Sequence, residues 1–69
     1  MENLDAVMII ETEDNPSMED YLSAWSQLIE TGAVWSLQGS YGRGATSLIE
    51  RGVISSDGVI NWELVEELA

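Results

Sequence analysis

The sequence predicts a small, mainly helical α+β domain, and three observations lead there. Residues 18–31 and 34–51 repeat apolar side chains at helical spacing, and each stretch is closed by a glycine, Gly32 or Gly52. A short run of branched apolar residues near the N-terminus has the composition of a strand. Asp57-Gly58, flanked by Val53-Ile54 and Val59-Ile60, has the chemistry of a hairpin turn. The expected order is an N-terminal strand, two principal helices, a small hairpin and a short C-terminal helix. Residues 1–69 form one acidic domain: 1–16 a strand and charged linker, 17–52 a helical core, 53–69 the hairpin and terminal helix.

Each element has its own reason. Ala6-Val7-Met8-Ile9-Ile10 is a continuous apolar run bordered by acids, too short to stand alone as a helix, so 5–12 is read as a strand. Glu11 to Pro16 follows as a charged linker. Ser17 suits a helix N-cap, and Glu19 and Asp20 place negative charge where the helix dipole favours it. Met18, Tyr21, Leu22, Trp25, Leu28 and Ile29 then share one face, so the helix runs over 18–31.

In the middle, Val34, Leu37, Tyr41 and Leu48 also share a stripe, but Gly39, Gly42 and Gly44 lie within it. Each glycine costs about 1 kcal/mol relative to alanine inside a helix. Either one helix runs through, its glycines admitting a close neighbour, or a short turn at 34–38 breaks near Gly39 and a second helix covers 40–51. Helical structure is expected throughout, with Gly39 as the place for a break. Asn61 suits the cap of a last helix over 62–68, with Leu64, Val65 and Leu68 facing inward. The text Leu28-Ile29-Glu30-Thr31-Gly32-Ala33-Val34 returns twenty positions on as Leu48-Ile49-Glu50-Arg51-Gly52-Val53-Ile54. That echo implies two helices ended by the same C-terminal chemistry on one core. The hairpin strands are expected to pair with the N-terminal strand.

Composition limits function more firmly than it names one. The chain has 13 Asp and Glu, two Arg, no Lys, His or Cys, and a formal net charge of −11. Its 45% apolar content separates it from disordered acidic tails. A domain of this size buries only about 60% of its unfolded surface, so self-association or a partner's surface is a natural supplement. Without His, Cys or Lys there is no imidazole, thiolate or Schiff-base chemistry, and no catalytic residue is expected. No cofactor, metal or small-molecule substrate is expected either. Glu11, Glu13 and Asp14 resemble part of a calcium loop, but Pro16 and the missing glycine break that pattern. The central glycines match neither phosphate-binding spacing. Two Arg cannot supply the roughly six to ten phosphate contacts of a DNA binder, and no apolar run reaches the ~20 residues of a membrane span. The N-terminus lacks the basic and apolar regions of a signal peptide.

Val34 to Gly44 is the most unusual local text, bringing Trp35, Gln38, Tyr41 and Arg43 into one glycine-rich stretch. Trp, Tyr and Arg are the residues enriched in interface hot spots, so these four are the candidate partner-binding residues. The alternative reading makes Trp35 and Tyr41 core residues that fill space beside glycines, with Arg43 paired to Glu30 or Glu50. In that acid field, loss of Arg43 is expected to lower the melting temperature or abolish partner binding.

The same stretch carries a resemblance. Leu28-Ile29-Glu30-x-Gly32-x-Val34-Trp35-x-Leu37-Gln38-Gly39-x-Tyr41-Gly42-Arg43, continued by Ala45, Leu48-Ile49-Glu50 and Gly52, resembles small proteins of unknown function encoded by tailed bacteriophages. The resemblance spans 28–52 and differs at Gly44, where a larger residue is expected. It implies a phage origin and action in a bacterial host cytoplasm, and transfers no activity.

The favoured reading is therefore a non-enzymatic protein that binds and modulates a host or phage protein. One alternative is an acidic nucleic-acid mimic that occupies the binding channel of a defence or transcription enzyme. Another is a structural or virion accessory protein. No direct contact with nucleic acid or membrane is expected.

Overall fold

The computed structural model describes residues 2–12, 17–37 and 39–68. Four α-helices follow one another: α1 (Asn3–Thr12), α2 (Met18–Thr31), α3 (Gly39–Glu50) and α4 (Trp62–Leu68). A 3-10 turn, Ala33–Trp35, links α2 to α3. Among the described residues no strand forms, and the β component is a single antiparallel bridge, Ile54 to Ile60.

The expected N-terminal strand is a helix. Its apolar residues surround the helix axis instead of forming a stripe, so helical periodicity is hidden in the sequence. Val and Ile cost only a few tenths of a kcal/mol each in a helix, an expense that docking exceeds. Ala6 is fully buried, and Val7, Ile9 and Ile10 pack against the core. A strand here would lack a partner, because residues 53–60 bond among themselves and dock on α2 instead. The Asp5 carboxylate reaches back to the Glu2 amide (3.4 Å), half of a capping box. At the same end of α1, the Gln27 amide donates to Asn3 Oδ1 (3.3 Å), and Thr31 Oγ1 lies 3.1 Å from the same oxygen. These contacts join the start of α1 to the end of α2, so the two helices run antiparallel. Glu11 and Thr12, read as linker, belong to α1; linker residues 13–16 lie outside the described residues.

α2 follows its expected limits. Ser17 accepts the Asp20 amide (3.1 Å), and Leu22, Ala24, Trp25, Leu28 and Ile29 are buried. The echo between 28–34 and 48–54 is physical. Gly32 and Gly52 both adopt left-handed φ, 80° and 76°, and donate to the carbonyls of Ile29 (3.1 Å) and Ile49 (3.0 Å). The two exit residues, Val34 and Ile54, join Leu28 as the largest fully buried side chains. One C-terminal device thus drives an apolar residue into the core twice.

α3 is continuous through Gly42 and Gly44, with the break falling before Gly39. Gly44 has a packing reason: a Cβ there would sit 2.7 Å from Trp25 Cη2. The indole ring, not a second backbone, fills the place of a side chain. Trp25 also meets Tyr21 edge-on (centroids 6.3 Å apart, 67°) and Tyr41 at a tilt (5.9 Å, 52°). Residues 53–61 then fold back. The Ser55 amide donates to the Val59 carbonyl (2.8 Å), and the Asn61 amide donates to that of Val53 (2.8 Å). Gly58 seats this loop on α2, where the Ser26 hydroxyl donates to its carbonyl. Asn61 caps α4 by accepting the Leu64 amide (3.1 Å).

Candidate interaction site

The Trp35–Arg43 segment divides between surface and core. Trp35 leaves the 3-10 turn 54% exposed and lies against α3, with its Cε3 atom 3.9 Å from where a Gly42 Cβ would stand. Arg43 is exposed and folds back along α3, its Nη1 3.3 Å from a Gly39 Cβ position. The bare Cα of Gly39 therefore leaves room for the guanidinium, while Trp35 reaches ordinary contact distance of Gly42 on the same helix face. Together with Thr46, Ser47 and Glu50 they line an open groove of about 450 Å³ on the outward side of α3. Residues 39, 43, 46 and 50 recur at three- and four-residue steps, so one helical stripe builds the site. Leu37, just before α3, adds a further exposed apolar residue.

Tyr41 is elsewhere. It projects from the opposite side of α3, is 7% exposed, and packs on Trp25. Its phenol has no hydrogen-bond partner among the described residues. The Glu11 carboxylate stands near enough to act on it by charge but outside good hydrogen-bond geometry. Burial first, and then Glu11, push its pKa up from 10.0 to about 12. Gln38 lies outside the described residues. Of the four expected contact residues, the structure thus brings Trp35 and Arg43 together on a surface and puts Tyr41 in the core.

The raised tyrosine pKa gives a pH dependence with a definite sign. Folded Tyr41 holds its proton more tightly than the unfolded chain does, so its contribution is intact below pH 10.0 and is lost as pH rises toward about 12. Tyr41→Phe is expected to remove that alkaline loss. It is also expected to raise stability near neutral pH by about 1 kcal/mol, since it deletes a buried, unpartnered hydroxyl. Urea melts of both proteins at about pH 8 and about pH 11 check this.

Arg43 has neither of its expected ion pairs: among the described residues it is bonded to neither Glu30 nor Glu50. Its side chain lies on glycine backbone. Arg43→Ala is therefore expected to change stability by no more than about 0.5 kcal/mol, leaving binding as the property it alters. A thermal melt beside the wild type decides it.

All eleven described acids, from Glu2 to Glu67, are exposed. Among the described residues no group of three or more converges into a metal-binding set, and no helix is long and apolar enough to cross a membrane. The class is thus a small, very acidic helical domain with an aromatic–arginine groove on its third helix. The chain belongs to DUF7417, a family of domains of unknown function, which matches residues 1–69. No curated protein and no solved structure matches it.

Proposed function

We propose that this chain is a non-enzymatic binding protein of phage type that modulates a host or phage protein in the bacterial cytoplasm through the outward face of α3. The observation that carries the reading is Trp35. A tryptophan more than half exposed, lining a groove with a guanidinium that has no acidic partner among the described residues, is costly to leave in water and is the composition of an interface anchor. The absence of His, Lys and Cys supports a binding role over catalysis. Trp35 supplies the buried area, and Arg43 supplies a donor fork for a carboxylate or carbonyl on the partner. Acids elsewhere keep the domain soluble and repel the wrong partners.

The test is capture from bacterial lysate with wild-type, Trp35→Ala and Arg43→Ala baits at about 0.15 M and about 0.5 M salt. A partner retained at high salt and lost with Trp35→Ala, whose melting curve stays near wild type, is the expected result. A partner that every bait holds at low salt and releases at high salt points instead to the acidic surface and a nucleic-acid mimic. Capture independent of both Trp35 and salt overturns both readings.

A further inference from the structure

A second groove lies on the other side of α3, and its lining is apolar. Leu22 and Val53 form a buried floor, with Met18, Tyr21, Leu48 and Val65 as walls from α2, α3 and α4; Arg51 stands at the edge. Its volume is about 350 Å³, and Met18 is 60% exposed at one end. The trough thus has three helical sources and belongs to no part of the Trp35 face.

We infer that this groove takes the apolar face of a basic amphipathic helix from a partner protein. Charge decides the occupant. The domain carries −11, and Glu19 and Asp20 follow Met18 at one wall while Glu66 and Glu67 follow Val65 at another. A second copy of this chain would bring the same excess of acid to the interface and be repelled. A helix with Leu or Met on one face and Lys or Arg on the flanks fills the trough and meets the acids beyond it. Met18 and Tyr21 suit such a guest, because methionine adapts its shape and tyrosine offers a rigid ring. Arg51 does not oppose it. It is one cation in a lining otherwise free of charge, and the free carbonyls at a guest helix's C-terminal end are the group that suits it.

The experiment titrates the full chain with an amidated Leu/Lys peptide of about 16 residues patterned at helical spacing, and with a scrambled peptide of the same composition. Calorimetry gives affinity, and amide NMR shifts locate the contact. The patterned peptide is expected to bind at least about tenfold tighter than the scrambled one, with the ratio preserved at about 0.5 M salt. Shifts are expected at Met18, Tyr21, Leu48 and Val65. Met18→Asp changes an exposed residue, so the fold survives, and it is expected to weaken the patterned peptide about tenfold. Equal affinity for the two peptides overturns the inference in favour of charge attraction alone. Shifts confined to Trp35 and Leu37 overturn it and leave the α3 face as the binding site; dimerisation through Met18 without peptide binding overturns it in favour of a second copy. Failure here leaves the reading of the Trp35 face intact, since the two surfaces share no residue.

Discussion

Trp25→Ala is expected to lower the stability of the fold by about 3–5 kcal/mol. A domain of 69 residues has about 3–10 kcal/mol of total stability. Deleting a buried tryptophan costs about 3–5 kcal/mol, so the loss takes at least about a third of the margin. Here the deletion removes the common element of three contacts. Trp25 bridges Tyr21 and Tyr41, lies directly on Gly44, and is 6% exposed. The residue directly against the ring on α3 is a glycine, which has no side chain to fill the space. Trp25→Phe is expected to be much milder, since a smaller ring keeps part of the stack and removes an indole N–H that has no hydrogen-bond partner among the described residues. Urea unfolding followed by far-ultraviolet circular dichroism checks both. A cost below about 1 kcal/mol for Trp25→Ala would mean that α3 does not rest on this ring.

Gly58→Ala has the second large effect, through a different mechanism. Gly58 sits at φ 89° in the loop that docks on α2. An added Cβ would lie 2.9 Å from Glu30 Cβ, 3.0 Å from the Ser26 carbonyl oxygen and 3.1 Å from the Glu30 amide nitrogen. Two of these three neighbours are helix backbone and cannot turn aside. Left-handed strain costs about 1–2 kcal/mol and the forced separation about 1–3 kcal/mol more. The movement would also break the bond from the Ser26 hydroxyl. Gly32→Ala is the control, because Gly32 has φ 80° but nothing within 4 Å of its Cβ position. Its cost reads the strain alone, and the difference between the two variants reads the clash. Equal losses at 32 and 58 would mean that the loop does not press on α2.

These two residues show how unevenly the sequence exposes its structure. Where capping chemistry and an apolar stripe coincide, as from Ser17 to Gly32 and from Asn61 onward, element type and limits are both legible. The Asp57-Gly58 turn was legible as a turn, but not its purpose: the text cannot show that the glycine is needed by a helix thirty residues earlier. α1 reads as a strand because Val7, Ile9 and Ile10 favour strands locally, and its apolar residues are not gathered on one face, which hides the helical period. The overriding term is tertiary, the fit of Ala6 against α2. At the candidate site the composition was informative and the geometry was not. Residues 35, 41 and 43 look equivalent in the text, yet helical phase turns Tyr41 inward and leaves Trp35 and Arg43 outside. Gly44, one of three glycines that weaken the helical reading of the middle, is explained by Trp25.

The most direct measurement uses the three tryptophans, because each samples a different place: Trp25 the core, Trp35 the outward face of α3, and Trp62, 44% exposed, the start of α4. Their indole N–H signals can be followed by NMR in the uniformly ¹⁵N-labelled chain as the captured partner is added at about 0.5 M salt. The account predicts that the Trp35 signal shifts or broadens first, while those of Trp25 and Trp62 keep their positions. Binding that moves Trp62 and leaves Trp35 unchanged would contradict it, as would an interaction that vanishes at this salt concentration.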